Sequence, residues 1–284
     1  MAFTTLARYA AALLLAALLT GCSGALAAAP SPLPALPTVP TVEPRPLPTA
    51  TPVPTPSPSP VPTPEPSPHL SADPTPIPTP ANGSYCSVAD VATPNVSFDD
   101  HAQTYLDWTY RLPADYAPPD LVNAITGTSA AGARLAVRAL VYGDLARLRA
   151  AALAAGHRLD VVSAYRSYEE QARTFDYWTR VGGYEQALRT SARPGHSEHQ
   201  LGTAIDFGDG TAAPWEYADW AQTPAGAWLA SHATDFGFVM SYPKGRTAVT
   251  CYSYEPWHYR YVGTELAKTL VASGLSLREF QLIS

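Results

Sequence analysis

The sequence predicts an α+β domain over residues 85–284, built on a small antiparallel sheet flanked by helices. Two observations point to this class. Short β-prone runs at Leu159–Tyr165, Thr203–Phe207, Phe238–Met240 and His258–Val262 alternate with helical stretches of unequal length, which does not fit a regular βαβ repeat. The stretch is also long enough, at about 200 residues, to bury a substantial single core.

Nothing before residue 85 has that character. Arg8 gives a short basic start, and Ala10–Leu19 is an apolar run too short to span a bilayer as a stable helix. It ends in Leu19-Thr20-Gly21-Cys22, which resembles a bacterial lipobox, so residues 1–22 are expected to be a lipoprotein signal with Cys22 as the lipidated residue. Residues 23–84 then read as a linker rich in Pro, Thr and Ser. Of the chain's 30 prolines, 21 fall between Pro30 and Pro80. Each removes a backbone donor and biases its predecessor toward extended conformations, and no periodic apolar face survives. As polyproline II, such a spacer reaches at most roughly 190 Å.

Charge and cysteines agree with an exported protein. Net charge is −6 with no Lys/Arg run, which argues against a nucleic-acid surface. With Cys22 lipidated, Cys86 and Cys251 remain as an even pair, and an oxidising compartment suggests that they form one disulfide. Neither lies at a metal-type spacing.

Within the domain, Ala133–Ala155 carries apolar residues near helical period and stops before Gly156, which predicts a helix. Leu159–Tyr165 is a strand with Arg166 at its end. Ser167 to Glu170 has the Ser-x-x-Glu form of a capping box and opens a helix running to about Arg180. Thr203–Phe207 is a short strand, Ala225–Asp235 a helix stopped by Gly237, and Phe238–Met240 a strand. His258–Val262 is the last strand, followed by a helix over Gly263–Ala272 that ends at Gly274.

The chemistry lies in two stretches. His199 and Asp206 stand seven apart with Gly202 between them, and a β-prone run enters Asp206. Glycine permits a tight turn, and the strand holds the carboxylate, flanked by Ile205 and Phe207, where it is partly desolvated and better used as a ligand than as a surface charge. Glu255-Pro-Trp-His258 adds a second histidine at the start of another strand and a carboxylate three residues earlier. Catalytic zinc sites commonly use three nitrogen or oxygen ligands and leave one position open. His199, Asp206 and His258 are therefore read as ligands of one Zn2+ per domain, with Glu255 as the base that takes a proton from the attacking water. His69, His101, His157 and His232 have no such context; His196 suits a supporting or surface position.

Three blocks carry a family resemblance: Ser163-Ala-Tyr-Arg-Ser-Tyr, Ser197-Glu-His-Gln-Leu-Gly-Thr-Ala-Ile-Asp206 and Glu255-Pro-Trp-His-Tyr-Arg-Tyr-Val-Gly263. In this order they resemble the signature blocks of the VanY-like zinc D-alanyl-D-alanine carboxypeptidases, whose fold is shared with hedgehog-type domains. The resemblance covers nearly all of the chain after the linker. It implies that His199, Asp206 and His258 bind zinc and that Glu255 is the base. It further implies that Arg166 faces the scissile bond or the substrate's terminal carboxylate, and that Gln171, Ser197 and Tyr242 contact the peptide. Gln171, one helical turn in from the cap, is also placed to brace Arg166. Two residues depart from the pattern: Ser241 stands where Arg is expected, and Cys251 where Gly is expected.

The implied activity is zinc-dependent removal of the C-terminal D-Ala from peptidoglycan stem peptides. An LD-carboxypeptidase acting on tetrapeptide stems, a peptidoglycan endopeptidase and a non-catalytic wall-binding module are the other readings. A serine enzyme of the penicillin-binding type is disfavoured, since Ser-x-x-Lys does not occur here together with its companion motifs. The expected partners are stem peptides and, through Cys22, the membrane. The expected setting is the outside of the cell, as a monomeric envelope lipoprotein.

Overall fold

The computed structural model describes residues 85–128 and 134–284. The expected signal segment with Cys22, the linker over 23–84 and His69 lie outside the described residues. In chain order the elements are β1 (Val91–Ala92), β2 (Tyr110–Arg111), β3 (Leu121–Thr128), β4 (Arg134–Arg138), α1 (Ala139–Ala154), β5 (Asp160–Ser163), α2 (Tyr168–Gly182) and α3 (Tyr184–Thr190). There follow β6 (Ala204–Gly208), α4 (Pro224–His232), β7 (Phe238–Met240), α5 (Thr247–Thr250), β8 (His258–Tyr261), α6 (Thr264–Ser273) and α7 (Leu277–Ile283).

The central sheet has four strands in the order β5-β6-β8-β7, all neighbours antiparallel. Its two faces do different work, because successive side chains of a strand point to opposite sides. Val161, Ile205, Phe207, Phe238, Tyr259 and Tyr261 share one buried cluster with Val141, Leu145 and Leu148 of α1 and Leu229 of α4. The residues between them, Asp206, His258 and Arg260, are buried as well but lie outside that cluster. One face is thus the main apolar core, and the other carries these polar groups and holds the candidate site, with Val239 beside them in a smaller apolar cluster.

One expected element is corrected. The helix read over Ala133–Ala155 begins only at Ala139, and Arg134–Arg138 is a strand paired antiparallel with β3. Leu135 and Val137 alternate into the core, so a period of two was hidden inside what looked like a helical pattern. Leu140, counted as a core position, is exposed; Val141 is buried instead. The capping box is present, with the Ser167 and Glu170 side chains each serving the other's backbone N–H. The helix before Gly237 turns 3₁₀ over Ala233–Phe236 and ends there in a left-handed glycine.

Cys86 and Cys251 form a disulfide that closes a loop of 165 residues. Cys251 has φ 69°, the conformation that favours glycine. That accounts for the glycine expected at this position: the chain turns left-handed there, and here the strained residue also carries the cross-link.

Candidate active site

The site begins at a turn. Glu198–Leu201 is one turn of 3₁₀ helix capped by Ser197, whose Oγ accepts from the His199 N–H. Gly202 ends it at φ 71°, where a Cβ would stand 3.0 Å from both Arg138 Cγ and Leu121 Cδ2. A side chain there would be crowded by both and strained by the backbone, which favours glycine. The chain can then enter β6 and bring Asp206 back beside His199.

Asp206 pairs directly with His258 across the β6–β8 ladder. Its Oδ2 lies 3.2 Å from His199 Nε2 and its Oδ1 2.9 Å from His258 Nδ1. The two imidazoles meet nearly edge-on, with centroids 5.0 Å apart. One donor atom from each of the three residues falls within 4.8 Å of the others, and all three side chains are buried. Each ring has its outer nitrogen engaged elsewhere: His199 Nδ1 is 2.7 Å from the Ala164 carbonyl oxygen and His258 Nε2 is 2.9 Å from Glu198 Oε2. That leaves Nε2 of His199 and Nδ1 of His258 turned toward Asp206. Two inward nitrogens and a carboxylate, backed by hydrogen bonds on the far side, fit a small divalent cation of zinc type.

The surrounding charges are strongly perturbed. Burial, with the Arg166 charge, pushes the His199 imidazole down to about 4. Burial works against charge at His258 too, but hydrogen bonds to Asp206 and Glu198 outweigh it and raise the imidazole to about 10. Asp206 is held far below the usual carboxylate range, since its two histidines overcome the burial that would raise it. Burial, reinforced by the Asp206 and Glu198 charges and opposed by His258 and Arg166, lifts the Glu255 carboxyl to about 8. A carboxyl so raised, one tight turn from a ligand, has the character of a catalytic base. The turn is set by the backbone: the Glu255 N–H donates to the Tyr242 carbonyl, and the Glu255 carbonyl accepts from the His258 N–H.

Arg166 follows β5 and has its N–H on the His199 carbonyl oxygen, 3.3 Å away. Its side chain is half-buried, senses the charges of Asp206 and Glu255, and has a buried Nε without a hydrogen-bond partner among the described residues. Such a guanidinium is suited to an incoming carboxylate or oxyanion. Tyr242 is buried and stacks on His258, with centroids 4.9 Å apart. Gln171 is fully buried and donates to the Ala192 carbonyl at 2.6 Å, so its hydrogen bond pins α2 to the segment after α3 and does not brace Arg166. His196 is fully buried between the Asp107 carbonyl and the Asp90 carboxylate, which excludes the surface alternative and leaves the supporting one.

Two functional neighbours escaped the sequence reading. Glu198 and Arg260 form a buried ion pair at 2.8 Å, on the far side of His258 from Asp206. The signal was present, since Arg260 lies two residues after His258 on one strand and Glu198 directly precedes His199. Ser241 belongs to the same group: its Oγ donates to Glu198 Oε2 at 2.6 Å. Ser241-Tyr-Pro-Lys244 taken alone has Ser-x-x-Lys spacing, but the Ser241 hydroxyl is committed to Glu198 and Lys244 is exposed beside Asp219.

Three buried donors converging beside a raised carboxyl are the parts a metal-assisted hydrolytic site is built from. Residues 134–264 match the family model described as VanY, D-alanyl-D-alanine carboxypeptidase, and the chain belongs to this family. It is 35% identical over 173 residues to YodJ of Bacillus subtilis (strain 168), named a carboxypeptidase, covering 60% of this chain and 63% of that protein. It is 37% identical over 161 residues to a D-alanyl-D-alanine carboxypeptidase of Enterococcus faecalis, covering 52% of this chain and 56% of the relative. The chain therefore spans less than two thirds of the length of these curated relatives. Among solved structures, the LdcB LD-carboxypeptidase superposes with a TM-score of 0.55 at 32% identity, covering 63% of this chain and 86% of LdcB. A mutant of the vancomycin-resistance D,D-pentapeptidase VanY in complex with Zn(II) superposes with a TM-score of 0.52 at 30% identity, covering 63% of this chain and 98% of the other.

Proposed function

We propose that the protein is a zinc-dependent D-alanyl-D-alanine carboxypeptidase that removes the terminal D-Ala from peptidoglycan stem peptides. The observation that carries this reading is the convergence of His199, Asp206 and His258 beside a carboxyl with a raised pKa. The zinc complex of the related VanY supports the choice of metal. His199 through Nε2, His258 through Nδ1 and Asp206 through a carboxylate oxygen would hold the ion. When bound, zinc supplies Lewis acidity that polarises the scissile carbonyl and makes a water easier to deprotonate. Glu255 takes the proton from that water as its oxygen bonds to the carbonyl carbon. The same carboxyl then delivers the proton to the D-Ala nitrogen as the C–N bond breaks. Arg166 binds the substrate's terminal carboxylate or the developing oxyanion, and the buried Nε without a partner supports that role. Tyr242, stacked on His258, contacts the peptide in this reading, as do Ser197 and Gln171.

A second reading, LD-carboxypeptidase activity on tetrapeptide stems, is favoured by the likeness to LdcB and to DacB of Streptococcus pneumoniae, which has 36% identity and a TM-score of 0.50. Purified protein, with zinc and with chelator, is to be given stems ending in D-Ala-D-Ala and stems ending after one D-Ala, and free D-Ala counted. Metal-dependent release from the pentapeptide supports the first reading, and release from the tetrapeptide alone supports the second. No release from either defeats both, leaving endopeptidase or wall binding, which a Glu255→Ala comparison on intact wall separates.

The lipobox supports a further part of the same reading, a lipoprotein held outside the cell through Cys22 by way of the Pro-rich spacer. Stable anchoring takes more than one acyl chain. A Cys22→Ser change is expected to move the protein from the membrane fraction to the medium or periplasm, and unchanged fractionation would refute the anchor.

A further inference from the structure

We propose that Glu198 is the positioning residue that makes His258 a metal ligand, by holding its ring in the tautomer whose Nδ1 lone pair faces Asp206 and His199. The inference rests on the zinc reading above.

The geometry is specific. His258 reaches Asp206 with one nitrogen and Glu198 with the other, each at 2.9 Å, so the ring spans two carboxylates. A carboxylate only accepts. The nitrogen facing Glu198 must therefore carry the proton, and in a neutral ring the other nitrogen is then free to bind metal. Asp206 imposes no such choice once it is itself a ligand.

Glu198 is held as firmly as a ligand would be. Its Oε1 takes the Arg260 guanidinium at 2.8 Å and its Oε2 takes the Ser241 hydroxyl at 2.6 Å as well as His258. Arg260 in turn is fully buried and donates from its other end to the carbonyl oxygens of His101 and Thr104. The orienting carboxylate is thus fixed from behind by the segment that precedes β2. Ser241 falls into place here too, because a long cationic side chain in its stead would have to share this enclosed space with Arg260.

Glu198→Gln is the informative change. Arg260 only donates, so the amide oxygen stays on its side and the amide NH2 is turned toward His258 and Ser241. Ser241 adapts by accepting. His258 can adapt only by moving its proton to Nδ1, the nitrogen needed for the metal. Replacing a ligand's orienting partner typically weakens metal binding about 10- to 100-fold.

The test is zinc affinity by competition with a chromophoric chelator on the full protein, wild type against Glu198→Gln and Ser241→Ala. Alongside it, 15N NMR of the His258 ring is recorded in the zinc-loaded state. The expected result is a loss of about 10- to 100-fold for Glu198→Gln, a smaller loss for Ser241→Ala, and a wild-type His258 protonated at Nε2. Circular dichroism and the melting of the metal-free proteins identify any loss due to misfolding. If Glu198→Gln misfolds, the wild-type spectrum still decides: an Nδ1-protonated His258 overturns the proposal. Wild-type affinity in a folded Glu198→Gln also overturns it while leaving the zinc reading intact. Failure of the wild type itself to bind zinc overturns that reading and this inference with it.

Discussion

Asp206 and His258 are direct partners across the β6–β8 ladder, so the register of two strands places two of the three candidate ligands on one face of the sheet. A slip of one residue in either strand would turn that strand's ligand to the core side and bring Ile205 or Tyr259 to the site. Ligand geometry is thereby tied to the apolar pattern of the strands. The residues that alternate with the ligands, Ile205, Phe207 and Tyr259, are almost fully buried in the main core.

Glu255→Gln is expected to lower D-Ala release by about 10²- to 10⁴-fold while zinc affinity stays within a few-fold of wild type. The base must be ionised to act, so the rate falls as pH falls through its pKa. Without metal the carboxyl sits at about 8. An added dication favours the ionised form, so the acid limb of the loaded enzyme lies below that value. A pH profile of kcat/KM measures it, and an unaltered acid limb in Glu255→Gln would remove the base from this residue.

Arg166→Lys keeps the charge and loses the planar fork. The expected drop in kcat/KM is about 10²-fold or more, comparable to loss of an oxyanion donor. A fall in kcat alone assigns the guanidinium to the oxyanion, whereas a rise in KM alone assigns it to the terminal carboxylate. No change in either parameter would leave Arg166 a structural cation.

Opening the Cys86–Cys251 cross-link is expected to cost about 2–5 kcal/mol, since it frees a long loop in the unfolded chain. The two cysteines need different replacements. Cys251→Gly relieves a positive φ, so Cys86→Ala/Cys251→Gly is expected to exceed Cys86→Ala/Cys251→Ala in stability by about 1 kcal/mol. Urea unfolding of both variants checks the order.

His101 predicts acid sensitivity away from the metal. Burial, then the charges of Arg260 and Arg138, push its imidazole down to about 4. The unfolded chain binds this proton near the ordinary histidine value of about 6.5, well before the folded protein does. Stability from this residue is therefore intact above that pH and is lost as pH falls toward 4, by roughly 2 kcal/mol. His101→Phe, which stays neutral, is expected to flatten that part of the stability–pH curve. An unchanged slope would show that His101 is not its source.

Much of the fold was legible because its signals are local. The Ser167–Glu170 capping box, the glycine stops at Gly237 and Gly274, and the alternation around Asp206 and His258 each depend on residues within a few positions. The Arg134–Arg138 strand was missed because it is defined by pairing with β3, and five residues with two buried apolar side chains suit a helix as well as a strand. The α2–α3 hairpin was half seen for a related reason. Gln171 is the one buried residue on α2, so its apolar pattern gives little sign of where the helix packs.

The sequence by itself determined the chemical inventory: two histidines, an aspartate, a glutamate and an arginine, with a glycine where the chain must turn left-handed between His199 and Asp206. These follow from residue identity and spacing alone. Tertiary structure alone decided which nitrogen of each histidine faces the cluster, since that depends on the Ala164 carbonyl and the Glu198 carboxylate reaching the rings from elsewhere in the chain. It also decided that Glu198, Arg260 and Ser241 stand behind His258, and that Gln171 bonds to Ala192 and not to Arg166. Hydrogen bonds between residues distant in the chain leave no periodic trace in a sequence, and only a folded sheet brings both partners to the same side.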